Sequence, residues 1–252
     1  MAAKGAGGTE GQGLPSVWTR TDRRRREQPA LSRDQIVTEA VRLLDEEGLE
    51  ALSMRKLGTR LNAGATSLYT HVSNKDELIE LVVDAIFAEA EVPVLAEGGD
   101  WRAALTACAQ SLRTVIVRHP WTASVFGQVG LSYLGPNMMQ VFEDMLALFE
   151  TAGFTLEEGD YASSTVYSFV LGMATSEAAW LSLVARSGKS EQEWVEQLLP
   201  AAERAVQSYP RYKQRFEAQK DAAADGVRGD KFLDGLDCLM DGLEVRRGRR
   251  GK

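Results

Sequence analysis

The sequence from Ser53 to His71, SMRKLGTRLNAGATSLYTH, contains two short helix-forming runs separated by Asn62-Ala63-Gly64. The first run begins at a serine, which is a favourable N-cap, and places Leu57 on a buried face. Asparagine tolerates a left-handed backbone better than most residues, so a tight turn is expected between the runs. Two short helices joined in this way are typical of a helix-turn-helix, a DNA-binding motif whose second helix enters the major groove.

Helices are also predicted on both sides of this motif. The helix before it begins at a capping box, Ser32-Arg-Asp-Gln35, and ends at Gly48. The helix after it begins at Asn74, and its apolar face continues without interruption over residues 78–87. We therefore expect a helix-turn-helix DNA-binding domain over residues 31–92, in which the fourth helix connects the motif to the rest of the chain.

The third predicted helix, at about residues 65–72, has two distinct faces. Leu68 and Val72 lie one turn apart and define the buried face. Tyr69 is therefore expected on the groove-facing side, although an aromatic residue here would also suit a core. The other residues of that side are Ala65, Thr66 and Thr70.

The net charge of −7 is unevenly distributed along the chain. Residues 1–19 are neutral and residues 20–75 carry 11 Lys and Arg against 8 Asp and Glu, so residues 76–252 account for a charge of −10. A local basic region can attract a phosphate backbone while an acidic remainder is kept away from it. The overall acidity therefore does not exclude DNA binding.

Both ends of the chain carry basic segments. Residues 1–30 are rich in Gly, Ala, Thr and Pro without apolar periodicity, and we expect them to form a disordered arm. Arg20 and the run Arg23–Arg26 either are solvated or contact a minor groove or phosphates next to the DNA-binding domain. The basic tail, residues 247–252, is most simply solvated.

After Gly98-Gly99 the apolar periodicity is helical throughout. Residues 211–229 are expected to form a loop. Helices are predicted at about residues 100–118, 120–127, 136–152, 157–186, 190–207 and 229–246. The expected fold is all-α, with an N-terminal three-helix helix-turn-helix bundle followed by a larger helical domain over residues 93–246.

The composition, with 44% hydrophobic and 26% charged residues, is that of an ordinary soluble protein. No run approaches 18 consecutive uncharged apolar residues, and the N-terminus lacks the apolar core of a signal peptide. We expect a cytoplasmic protein that does not contact a membrane. Cys108 and Cys238 lack the spacing of metal ligands and are expected to be buried free thiols.

Motifs of common enzymes are missing from the sequence. Neither G-x-S-x-G nor H-E-x-x-H occurs. The segment Gly188-Lys-Ser190 resembles the end of a phosphate-binding loop, but Leu183 stands where that loop requires glycine and no strand is predicted before it. We therefore expect no enzymatic activity, no catalytic residue, no metal and no cofactor.

The string Leu68-Tyr-Thr-His-Val-Ser-Asn-Lys75 resembles the L-Y-x-H-V-x-N-K signature of the TetR family of transcriptional regulators. Similarity to the tetracycline repressor subgroup continues in the same order at residues 153–157, 169–172 and 232–244. The resemblance implies a homodimer that places two recognition helices in adjacent major grooves of a palindromic operator. It also implies that the C-terminal domain forms the dimer and binds a small-molecule effector, which changes the spacing of the two recognition helices and releases the repressor.

The resemblance also implies which residues contact DNA. Arg55 matches a base-contacting position, where its guanidinium suits guanine O6 and N7. His71 matches a phosphate contact, although an imidazole at the end of a helix also suits a capping role. The full expected set is Ser53, Arg55, Ala65, Thr66, Ser67, Tyr69, Thr70, His71 and Lys75.

The resemblance does not extend to the residues that bind tetracycline and magnesium. The aligned positions are Phe126, Cys108, Ser176 and Glu91, which lack most of the required oxygen and imidazole ligands. Tetracycline is therefore not the expected effector. Aromatic and thioether side chains predict a mostly apolar pocket, although each of them would also suit a helical core. The candidate pocket residues are Trp121, Phe126, Met138, Phe142, Tyr167, Met173, Glu177 and Trp180.

Three alternatives remain open. Glu177 either faces solvent or is a buried anchor for a cationic or hydroxylated ligand. Small residues in the helices 157–186 and 229–246 fit either a dimer interface or a core within one chain. They are Ala162, Ser163, Gly172, Ala174, Gly235 and Gly242. The alternative function is a DNA-binding protein with no small-molecule inducer.

Overall fold

The computed structural model describes residues 31–125, 135–219 and 224–249, and these ranges contain helices but no β-strand. The predictions for the arm 1–30, for Phe126 and for tail residues 250–252 fall outside the described residues. The helices are α1 (Arg33–Glu47), α2 (Met54–Arg60), α3 (Ala65–Tyr69), α4 (Lys75–Phe87), α5 (Trp101–Arg118), α6 (Thr122–Val125), α7 (Pro136–Thr151), α8 (Leu156–Ser187), α9 (Glu191–Val206), α10 (Pro210–Gln219) and α11 (Ala224–Arg249).

The N-terminal unit, α1 to α3, is delimited by the capping residues that the sequence predicts. Ser32 and Gln35 form the capping box of α1. The Ser53 hydroxyl accepts a hydrogen bond from the Lys56 amide at the start of α2, with 3.2 Å between Oγ and N. Asn62 has φ of 50°, so the turn between α2 and α3 uses the expected left-handed residue.

The third helix is shorter than predicted. It ends at Tyr69 rather than near residue 72, and the Thr70 hydroxyl donates to the Ser67 carbonyl at 2.6 Å just after its end. Leu68 and Val72 are nevertheless completely buried, as the spacing predicts.

The long helix α8 forms the centre of the C-terminal body, where it packs against α5, α7 and α11. Its length and mean hydropathy would also suit a membrane span, and it is the one such helix among the described residues. Its buried side, however, forms a ridge of small and β-branched residues at every fourth position, which is the packing surface of a core helix. The ridge consists of Ala162, Val166, Val170, Ala174 and Ala178.

The predicted loop over residues 211–229 is wrong. Residues 210–219 form α10, which begins at Pro210 because proline is suited to the first helical position, where no amide donor is needed. The residues that follow are mostly Arg, Lys, Gln, Glu and Ala, which favour helix. Helix α11 begins at residue 224 and continues to Arg249, so it also includes part of the predicted tail.

The sequence left open whether the small residues of α8 and α11 lie in a dimer interface or in a core within one chain. The glycines among them differ in what they face. A Cβ on Gly235 would lie 2.8 Å from the ring of Phe169, so this glycine lets α11 approach α8 within the chain. Gly172 and Gly242, in contrast, have no atom within 4 Å of an added Cβ and face outward. The two cysteines also differ, because Cys108 is buried whereas Cys238 is exposed, contrary to its prediction.

Gly58 is expected to be essential for the N-terminal unit. A Cβ at this position would lie 2.7 Å from the Ala63 carbonyl oxygen, which belongs to the turn and cannot move freely. Gly58→Ala should destabilise the unit by about 1–3 kcal/mol, the usual cost of overpacking. Thermal unfolding measures the effect. Gly64→Ala in the same turn is the matched control, since nothing lies within 4 Å of its added Cβ; an equal loss of stability in both variants would contradict the steric explanation.

Candidate nucleic-acid interface and effector region

Helix α3 presents a polar face to solvent while its apolar face is buried. Tyr69 is 52% exposed, whereas the adjacent Leu68 is 0% exposed. Tyr69 is therefore not a core aromatic residue. Thr66, Ser67 and Thr70 are exposed beside it, and Ala65 is half-buried. This arrangement leaves a continuous surface of short side chains around one tyrosine, which can enter a major groove.

Two of the three basic residues of α2 bind α1. The Arg60 guanidinium contacts Glu39 at 2.6 Å and Glu46 at 2.7 Å, and Lys56 pairs with Glu47. Arg55 is exposed and forms no ion pair with any residue that the structure describes. Of these three cations, Arg55 is therefore the one available for a base.

The start of α4 supplies a further group of polar atoms next to α3. Lys75 is exposed at the first position of the helix. The Asn74 side chain accepts from the Glu77 amide at 2.8 Å, and the Glu77 carboxylate accepts from the Ser73 amide at 3.1 Å. His71 is half-buried between α3 and α4, a position that is compatible with both roles considered for it.

The aromatic candidates for an effector pocket are only partly brought together. Tyr167 on α8 contacts Phe142 on α7, with ring centroids 5.2 Å apart, and lies 6.4 Å from the ring of Phe87 at the end of α4. Met138 is buried at the first turn of α7, and Met173 packs at the edge of the core. The Tyr167 cluster therefore joins the two body helices to the helix that leads to the N-terminal unit.

The polar atoms of three other candidates already have partners within the protein. Glu177 receives two hydrogen bonds from Arg113, at 2.7 and 2.8 Å, so it is neither a solvent-facing residue nor an unpaired anchor. The Trp180 indole donates to Glu191 at the start of α9 at 2.7 Å. The Trp121 indole donates to Asp45 of α1 at 2.8 Å, which places Trp121 against the N-terminal unit.

His119 forms a polar contact between the body and the N-terminal unit that the sequence did not reveal. Its side chain is 4% exposed, and its Nδ1 and Nε2 lie 2.7 Å from Asp45 and 3.2 Å from Glu89. Glu89 also pairs with Arg118 at 2.6 Å. Burial lowers the pKa of His119, but the hydrogen bonds and charges of the two carboxylates outweigh burial and raise it above its ordinary value of 6.5.

Two family models match the chain and together cover most of it. Residues 36–82 match the model described as bacterial regulatory proteins of the tetR family, and residues 92–247 match the tetracyclin repressor-like C-terminal domain. The first match contains the helix-turn-helix, and the second contains the helical body.

Individual relatives are similar over most of their length. An HTH-type transcriptional regulator of Saccharopolyspora erythraea is 40% identical over 181 residues, which are 71% of this chain and 75% of the relative. The HTH-type transcriptional repressor DrrR1 of Streptomyces coeruleorubidus is 34% identical over 249 residues, which are 95% and 90% of the two chains.

The fold is also similar to solved structures of ActR from Streptomyces coelicolor. The apo form has a TM-score of 0.71 at 29% identity, covering 89% of this chain and 100% of ActR. The complex of ActR with actinorhodin has a TM-score of 0.68 at 31% identity, covering 86% and 99%.

The contact of His119 with two carboxylates predicts a pH-dependent stability. Because the pKa of His119 is raised in the folded protein, its contribution is fully present below about pH 6.5 and is lost as pH rises through the folded pKa. The difference in Tm between the wild type and His119→Gln should therefore be largest near pH ~6 and shrink toward pH ~8.5. Thermal unfolding at a series of pH values tests this; a Tm difference that stays constant would show that the charge of His119 plays no part.

Proposed function

Because this chain belongs to the TetR family of transcriptional regulators, we propose that it is a repressor that binds a palindromic operator in double-stranded DNA as a homodimer and is released by a small, mostly apolar effector. The observation that carries the proposal is the exposed face of α3, on which Tyr69 stands clear of the core. Such a protein acts in the cytoplasm, on the DNA near its own gene.

The proposed DNA contacts divide into bases and phosphates. Arg55 and the α3 residues Ala65, Thr66 and Tyr69 contact base edges or thymine methyl groups. Ser53, Tyr69, His71 and Lys75 contact phosphates, together with the amide groups at the N-terminus of α4, so Tyr69 has both kinds of contact. Ser67 and Thr70 border the same face. The support for this assignment is that each of these side chains is exposed or half-buried.

The proposed dimer forms through the outward faces of α8 and α11. Gly172 and Gly242 permit a close approach of a second helix, because no described residue comes within 4 Å of a Cβ added at either position. Exposed apolar residues, Leu183 on α8 and Leu233 and Val245 on α11, supply apolar area on the same two helices. These features support a symmetric interface in which each subunit contributes the same pair of helices.

The proposed effector binds near the rings of Phe142 and Tyr167. Aromatic side chains from α7 and α8 favour an apolar or aromatic molecule. The relative ActR has been solved in complex with actinorhodin, which makes that compound a suitable first probe. The alternative, a DNA-binding protein with no inducer, is distinguished by whether any compound releases the DNA.

Removal of a groove-facing side chain should weaken operator binding without affecting the fold. Tyr69→Ala should lower the affinity for a palindromic fragment from upstream of its own gene by about tenfold or more, the cost of losing a base contact. Lys75→Ala should lower the affinity for all DNA sequences and reduce the salt dependence of that affinity. Gel retardation at several salt concentrations measures both effects.

The matched control is Tyr212→Ala, since Tyr212 is 60% exposed on α10. It should bind the operator as the wild type does. If the wild type binds random DNA and the operator equally at physiological salt, the repressor proposal fails. If Tyr69→Ala is monomeric or unfolded, Tyr69 has a structural role instead.

A compound that binds near Phe142 should raise the Tm and release the operator. We expect actinorhodin to do both at micromolar concentration, and tetracycline with Mg²⁺ to do neither. Phe142→Ala should lose the response while keeping operator affinity. If neither actinorhodin nor a panel of apolar aromatic compounds raises the Tm or releases the DNA, the protein is a DNA-binding protein with no inducer of this class.

A further inference from the structure

Asp84 is a buried carboxylate in the last turns of α4. It is only 3% exposed, and its neighbours Val82, Val83 and Ile86 are core residues. A carboxylate in such surroundings is unfavourable unless hydrogen-bond donors replace the water that it loses. The groups that donate hydrogen bonds to Asp84 therefore show which part of the structure this residue holds in place.

Among the described residues, the four hydrogen bonds that Asp84 receives from outside its own helix come from the start of α7. The amide groups of Asn137 and Met138 each lie 3.0 Å from Asp84 Oδ1. The Asn137 side chain donates to Asp84 Oδ2 at 2.9 Å and to the Asp84 carbonyl at 3.2 Å. The first amides of a helix have no acceptor within the helix, and the N-cap of α7, Gly135, has no side chain to supply one. Helix α7 is thus capped by a residue of α4.

The approach of α4 to α7 depends on glycine at position 135. A Cβ there would overlap the Asp84 carboxylate. The φ of this glycine is −68°, so its backbone conformation is open to any residue. Glycine is therefore required because the carboxylate occupies the space of a Cβ, and not because of the backbone angle.

The same helix that carries Asp84 also supports the DNA-binding motif. Helix α4 begins at Lys75, six residues after the end of α3, and packs against α1. Helix α7 carries Phe142 further along its length, where it contacts Tyr167. The contacts of α4 with α7 and with α1 therefore connect the proposed effector region to the N-terminal unit.

On the basis of the proposed function, we infer that Asp84 and Gly135 form a fixed joint between α4 and α7 that sets the orientation of α3 relative to the helical body. Asp84 is a positioning residue for operator recognition, since it acts through α4 and does not contact DNA. Its four hydrogen bonds are directional, so a shift of the start of α7 is passed to α4 instead of being absorbed by sliding apolar surfaces.

The joint is tested by measuring the distance between α3 and the body. Spin labels are attached at Thr66→Cys on α3 and Gln110→Cys on α5, both exposed positions, in a Cys238→Ser background that leaves only the buried Cys108. Dilution with unlabelled protein restricts the measurement to one chain. We expect a narrow distance distribution in the parent and a shifted or broadened one in Asp84→Asn and Gly135→Ala. Unlabelled Asp84→Asn and Gly135→Ala should bind the operator about tenfold more weakly.

Two further variants separate positioning from simple stability. Ser190→Ala removes the N-cap of α9, which packs on α8, α10 and α11, and should lower the Tm without changing the distance or the operator affinity. Asp84→Asn combined with Asn137→Asp exchanges the donor and acceptor side chains. The exchange recovers the bond between the two side chains, although not the one to the carbonyl of residue 84, and should restore most of the distance and the affinity.

The outcomes distinguish a failure of the proposed joint from a failure of the proposed function. The inference is overturned if the wild type binds its operator and both single variants change only the Tm, with the parental distance and affinity kept. It is also overturned if Asp84→Asn loses affinity and the exchange restores neither the distance nor the affinity. If the wild type binds no operator, the proposed function fails, and the distance distributions alone then decide whether the joint exists.

Discussion

A buried carboxylate needs hydrogen-bond donors at defined distances and angles. Asp84 is such a carboxylate, and the position of its donors determines where α4 can lie. Apolar contacts tolerate small sliding and rotation, so the packing of α4 on its neighbours limits its position without fixing its angle. The four hydrogen bonds from the start of α7 remove that freedom. Since α4 also packs against α1, the joint proposed between α4 and α7 links the orientation of the N-terminal unit to the helical body. His119, held between Asp45 and Glu89, adds a second directional contact at the same boundary.

Ion pairs within the N-terminal unit reduce the number of its cations that are available to other molecules. The excess of basic residues over residues 20–75 suggests a broadly positive surface, but Lys56 and Arg60 of α2 are paired with glutamates of α1. Their main effect is to hold α2 against α1. Among residues 31–75, the cations with no ion pair to a described residue are Arg33, Arg55 and Lys75, so the proposed attraction to DNA rests on a small number of cations. A surface of this kind favours contacts at defined positions over general adhesion to phosphate.

The features that the sequence predicted are those governed by neighbouring residues. The caps at Ser32 and Ser53 and the left-handed Asn62 depend on a few adjacent positions, and all three are present as expected. The partners of buried charges could not be predicted, because the residues that meet are far apart in the chain: Glu177 with Arg113, and Asp84 with Asn137. The only signal for Asp84 was an acidic residue within an apolar run. The missed helix α10 had a local cause, since proline marks the start of a helix as readily as the end of one.

The separation of the two faces of α3 has a consequence for how such proteins diversify. The side chains that hold this helix in place, Leu68 and its neighbour Val72, are completely buried, whereas Thr66 and Tyr69, which are proposed to meet DNA, are exposed. Substitutions at positions 66 and 69 are therefore cheap for the fold, and gene duplication followed by a few such changes can give a copy that recognises a new site. The effector response, which depends on different helices, can be inherited unchanged.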